Sequence, residues 1–130
     1  MTQPRNRTAT LTGVVLILSV TANPSFSHHG NYAYDRAQTV SVTGTVTRWQ
    51  FINPHAGLWL DVIDEQGNVQ SWAGEFTSVQ DLYRGFQWNK DTFSPGDTVT
   101  LIGSPDRRPG MYSMLAEAVV FADGTRVDVR

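Results

Sequence analysis

Histidine occurs three times in this chain of 130 residues. His28 and His29 are adjacent near the start, and His55 stands in Asn53-Pro54-His55. Imidazole chemistry is therefore confined to two places. Neutral imidazole is a good copper or zinc ligand. A histidine at a free N-terminus offers more, because its α-amine and Nδ1 close one chelate ring on a single ion. One further imidazole completes three nitrogens in a T-shape, which suits Cu(II) better than zinc. His29 or His55 can be the third ligand. Adjacent residues of an extended chain point apart, which favours His55. Glu75 or Asp35 would add a carboxylate or orient a ligand, and Asn53 would hold the turn or the His55 ring.

That chemistry requires processing at Ser27. Arg5 and Arg7 form a positive leader, and Leu11 to Val20 is an apolar run of ten residues. The run is short against the roughly 20 residues that span a bilayer, so residues 1–27 read as a secretory signal, with no stable membrane insertion once it is removed. Ser25-Phe26-Ser27 and Val20-Thr21-Ala22 both satisfy the small-residue rule for cleavage. Cleavage after Ser27 exposes His28, whereas cleavage after Ala22 abolishes the chelate. The expected product is a periplasmic or secreted protein with an arm over 28–37 and one domain over 38–130. There is no cysteine to form a disulfide or carry a lipid, so the domain must stand on its core.

Loss of the leader takes the formal charge from −2 to −4, since two arginines and no acid depart. An acidic domain without clustered Lys and Arg is a poor partner for nucleic acid. Arg107-Arg108 is the one basic pair, and it reads as two solvated charges in a Pro-rich loop. No nucleophile elbow, Cys-His pair or phosphate-cradling loop occurs, so an enzyme is not the expected class. The alternative to a metal protein is a metal-free binding or interaction module with an aromatic groove, for which Trp49 and Trp59 are the candidate lining. Trp72 and Trp88 read as core. Met111 and Met114, three apart on a strand, would send one sulfur inward and one outward.

The elements that must position these groups are mostly strands. Val40 to Ile52 alternates apolar and Ser/Thr positions, with Gly44 as a place for a bulge or bend, and must serve two sheets. Asn53-Pro54 ends it. Leu58, Leu60 and Val62 mark a second strand and Val69 to Phe76 a third, joined as a hairpin at Asp64 to Asn68. Thr77 to Gly85 carries capping residues and helical spacing, with Gly85 suited to the stop. Ser94-Pro95-Gly96-Asp97 is a turn launching Thr98 to Gly103, followed by Tyr112 to Phe121 and a short last strand. This order, β-β-β-α-β-β, predicts an all-β, OB-like five-stranded barrel with one short helix between strands 3 and 4; an open β-sandwich is the other arrangement these strands allow. The expected core is Val40, Val42, Val46, Leu58, Leu60, Val62, Val99, Leu101 and Val120. The oligomeric state is not legible.

His28-His29, Thr43-Gly44-Thr45-Val46, Asn53-Pro54-His55, Trp72 with Glu75, Arg84-Gly85 and Pro95-Gly96-Asp97 together make the chain resemble a family of small secreted bacterial proteins of unknown function. The resemblance implies an exported OB-like barrel and no particular activity.

Overall fold

The structure, a computed structural model, describes residues 31–130. Six strands carry the fold: β1 (Val40–Gln50), β2 (Gly57–Ile63), β3 (Val69–Glu75), β4 (Thr98–Pro105), β5 (Ser113–Phe121) and β6 (Arg126–Asp128). One helix, α1 (Val79–Phe86), lies between β3 and β4. The sheet order is β3-β2-β1-β4-β5-β6, and a parallel pairing of β3 with β5 closes the first five strands into a mixed barrel. β6 is an extra strand along β5. Among the described residues no helix is long and apolar enough to cross a membrane.

Closure depends on β1 changing partner along its length. Val40 to Thr45 pairs with β4, and Thr45 to Gln50 pairs with β2. The changeover is at Thr45, next to Gly44, but the bulge expected at Gly44 is elsewhere. Gly44 stays in register opposite Val99, and a Cβ on it would meet the Asp61 carbonyl oxygen at 2.5 Å, so the glycine permits a close approach of β2. The extra residue is Thr47, between the pairs Val46↔Leu60 and Arg48↔Trp59. Because side chains alternate with period two, one inserted residue moves the inward face from Val46 to Trp49 and Phe51.

A second bulge does the same in β5. Ile102 pairs with Ala118 and Gly103 with Ala116, which leaves Glu117 unpaired. The inward set is therefore Met114, Ala116 and Val119 with Phe121 packed beside them, and Val120, expected in the core by strict alternation, is only partly buried. Val46, Leu58, Leu60, Val99 and Leu101 are buried as expected, while Val40, Val42 and Val62 pack against the core from partly exposed positions. Met114 is buried and Met111 exposed. Ser104, the buried polar residue among them, donates its hydroxyl to Glu117 Oε1 at 2.6 Å.

α1 starts at Ser78, whose Oγ accepts from the Asp81 N–H. Leu82 fills the core from its inward face. The helix does not stop at Gly85: it runs to Phe86, and Gln87 takes the left-handed conformation at φ 58°, its N–H reaching the Tyr83 carbonyl. Trp88 beyond it is the reason. Its ring packs among Phe76, Phe86, Phe93 and Phe121, and burying it outweighs the glycine's local preference for the stop.

Candidate functional site

β1 and β2 lie side by side, so their paired residues share a face. Trp49 pairs with the buried Leu58 and points inward, where its ring meets Phe76, Trp88 and Phe93 and its Nε1 donates to the Asn89 carbonyl at 2.9 Å. Trp59 pairs with Arg48 and points outward, with the guanidinium 3.6 Å from the ring centroid. The two expected groove residues therefore stand on opposite sides of the barrel wall. Trp49 belongs to the core, because the Thr47 bulge reverses the parity on which a groove position depends.

Trp59 lines a cleft of about 360 Å³ together with Tyr34, His55, Glu75 and Ser113, over a floor of Ala56, Gly57, Ala73 and Gly74. The floor is made of small residues for a reason. A Cβ on Gly57 would lie 2.6 Å from Trp59 Cη2, so the indole rests over that glycine. A second cleft, of about 350 Å³, adjoins the first and shares His55 and Glu75 with it.

His55 follows the turn that ends β1. The next residue, Ala56, exchanges backbone hydrogen bonds with Phe76 and Thr77, which fixes the turn against the end of β3. The ring Nδ1 lies 3.2 Å from the Phe76 carbonyl oxygen and 3.9 Å from Glu75 Oε1. A carbonyl oxygen only accepts, so in the neutral ring the hydrogen sits on Nδ1 and Nε2 keeps its lone pair. The ring is oriented by the Phe76 carbonyl and not by Asn53, an exposed turn residue, which leaves Asn53 its other expected part of holding the turn.

Glu75 is held from the other side by Tyr34, whose hydroxyl donates to Oε2 at 2.8 Å across 41 positions of sequence. Burial, and then the hydrogen bond to Glu75, push the Tyr34 hydroxyl well above the usual tyrosine range, so it remains a donor. Tyr34 reaches Glu75 because the arm is clamped to the end of β4 and the loop after it. Asp35 N–H donates to the Pro105 carbonyl, Arg107 N–H donates to the Ala33 carbonyl, and Arg107 Nε donates to the Tyr34 carbonyl at 3.1 Å. Arg107 also lies 3.5 Å from Asp35 Oδ1, whose carboxylate accepts from Ala37 and Gln38. Asp35 is thus committed to the arm's own turn and is not among the residues lining the cleft.

Arg107 and Arg108 are likewise more than solvated charges. Arg108 holds Asp106 through a 2.6 Å contact, and Asp106 also accepts from the Ser113 hydroxyl at 3.0 Å. Arg108 foremost, with Ser113 in support, holds the Asp106 carboxyl well below the usual carboxylate range. Tyr34, Ser113 and Arg107 are not marked in the sequence because their partners are 41, 7 and 73 positions away. Only the Asp106-to-Arg108 spacing is a local signal.

Of the residues expected at a site, the structure brings His55, Glu75 and Trp59 together. His28 and His29 lie outside the described residues. Among the described residues no three His, Cys, Asp or Glu side chains converge, so His55 and Glu75 alone would supply only part of a metal's ligand set.

The sequence model of a family of unknown function (DUF6152) matches residues 14–113. No curated protein matches the chain. Among solved structures, the crystal structure of TiaS in complex with an isoleucine tRNA and ATP aligns at 15% identity and a TM-score of 0.47, covering 75% of this chain and 20% of that one. The chain thus spans one fifth of that protein, a likeness too slight to carry a functional argument.

Proposed function

The chain belongs to this family of unknown function, and we propose, from its own residues, that it is an exported binding domain for a copper-type ion. The ligands in this reading are the α-amine and ring of His28, exposed by cleavage after Ser27, and Nε2 of His55; His29 is the alternative imidazole. The carrying observation is the state of His55: Nδ1 faces the Phe76 carbonyl, so Nε2 is free to coordinate, the arrangement typical of metal-binding histidines. The arm supports it. Tyr34 lines the same cleft as His55; the 3-10 turn Asn31–Ala33 before it rises about 2 Å per residue and the three residues before that can reach about 10 Å, a span that lets His28 return toward the His55 ring. Glu75, 3.9 Å from that ring, would balance charge beside the ion.

The test is copper titration of the exported protein after its N-terminus has been fixed by intact mass. Expected is tight one-to-one binding that weakens as the imidazoles and amine protonate at low pH. His55→Ala should lower the affinity and leave the fold unchanged, since the side chain is 53% exposed. Equal affinity in His55→Ala removes His55 from the site, and equal affinity in a chain retaining one residue before His28 refutes the chelate. A second reading, a metal-free binding module, is favoured by one observation: the indole of Trp59 lines the same cleft on the outer face of the barrel.

A further inference from the structure

The hydrogens of the cleft can be followed one by one. The Tyr34 hydroxyl donates to Glu75 Oε2 and the Ser113 hydroxyl to Asp106 Oδ2. The His55 Nδ1 hydrogen faces the Phe76 carbonyl. Glu75 as a carboxylate has none to give. In the floor, Ala56 N–H donates to the Thr77 carbonyl and Ala73 N–H to the Tyr112 carbonyl, while Gly74 pairs with Leu58 in the β2–β3 ladder, Gly57 pairs with Gln50 of β1 and Glu75 with Leu115 of β5. What these side chains leave to an occupant are lone pairs: on Glu75 Oε1, Tyr34 Oη, Ser113 Oγ and His55 Nε2. Among the described residues of the lining, the one uncommitted side-chain hydrogen is the neutral indole N–H of Trp59. Arg48 is stacked over the Trp59 ring and does not line the cleft; Arg108, whose charge reaches the Tyr34 hydroxyl, is bound to Asp106 and does not line it either.

A cavity that, with the His55 ring neutral, offers acceptors, one negative charge and, among the described residues, no lining Lys or Arg discriminates by chemistry. It gives an anion no charged donor, and it leaves a neutral acceptor almost unpaired. A group with several N–H donors and a positive charge satisfies it, and aromatic walls add attraction for such a group. We propose that this cleft takes a small organic ammonium ion, its N–H groups directed at Glu75 and Tyr34 and its apolar body against Trp59. A volume of about 360 Å³ suits a primary amine with a single ring or a short chain. The proposal rests on the metal-free reading of the cleft and goes beyond it by naming the ligand class.

The probe is 2-phenylethylammonium, titrated by NMR chemical shift into the exported protein at neutral pH with a chelator present, so that no metal contributes. The comparison ligands are 2-phenylethanol and 3-phenylpropionate, which keep the ring and replace the charge. Expected is at least tenfold tighter binding of the ammonium than of the alcohol, with the carboxylate weakest. Glu75→Gln keeps an acceptor for Tyr34 and removes the charge, and should erase the preference. Trp59→Ala, on the outer face and outside the core, should weaken the ammonium and the alcohol alike. Equal binding of ammonium and alcohol leaves a metal-free module standing and overturns the ammonium assignment. A preference unchanged in Glu75→Gln also overturns it, and so does the absence of binding by all three ligands.

Discussion

Tyr34→Phe isolates one atom on which both the arm and the cleft depend. The ring stays, so no cavity is made, and only the hydroxyl on Glu75 Oε2 is lost. A hydrogen bond to a charged acceptor contributes about 1.5–3 kcal/mol. The Glu75 side chain is 34% exposed, so water can take the vacated position, which places the cost near the lower end, about 1.5 kcal/mol. For a domain near 100 residues each kcal/mol moves the midpoint by roughly 4–8 °C, giving a fall of about 6–12 °C. The assay is chemical and thermal unfolding of Tyr34→Phe, Glu75→Ala and the double variant. The coupling in that cycle should be about 1–1.5 kcal/mol, in the range for residues in direct contact. The arm adds an independent readout: the Asp35 and Arg107 amides, bonded to Pro105 and Ala33, should exchange faster in Tyr34→Phe. Additive energies within about 0.3 kcal/mol, together with unchanged exchange at those amides, would refute the claim that this hydroxyl pins the arm.

Gly57→Ala should displace the Trp59 indole, because the new Cβ would lie 2.6 Å from Cη2, the far end of a side chain that can swing away. The Trp59 indole N–H resonance should shift while the unfolding midpoint moves little; an unmoved resonance contradicts the packing described. Asp106 predicts an acid response. Its folded pKa is depressed, so its contribution is complete above the unfolded value of about 3.9 and is lost as pH falls from there through the folded value. The midpoint should drop on acidification below about pH 4, and Asp106→Asn, less stable at neutral pH, should show a flatter profile; parallel profiles would remove Asp106 from the acid response.

The barrel is legible in the sequence because its signals are local. Alternating valines, the Pro95-Gly96 turn with Gly96 at φ 99°, and the Gly67 turn with φ 84° each state their own conformation. Parity is not legible. A bulge is decided by what the strand must bury after it: Thr47 is one more threonine in a Ser/Thr series, and Glu117, the one charged residue of β5, equally fits an ordinary outward position. Every assignment of a face beyond those positions is therefore displaced by one, which is why strict alternation places Trp49 in a groove and Val120 in the core. The same limit applies to the site. His55 stands out as a rare residue in a turn, and Glu75 and Trp59 as candidates, but Tyr34 is one aromatic among several until the fold sets it against Glu75.

The closing step of the barrel is also the step that builds the cleft. Pairing β3 with β5 in parallel sets Ala73 beside Ser113 and Glu75 beside Leu115, which brings two of the polar walls to one edge. The end of β4 and the loop that follows it then hold Ser113 through Asp106 and the arm through Pro105 and Arg107, so the third wall, Tyr34, is carried in by the same segment. Neither wall can move far without the other: releasing the arm removes the donor on Glu75 Oε2, and displacing the loop frees the Ser113 hydroxyl and the arm together. A ligand that draws on Glu75 and the arm at once therefore acts on the closure of the barrel. In either reading of the cleft, occupancy is linked to the stability of the β3–β5 seam through the Tyr34–Glu75 hydrogen bond.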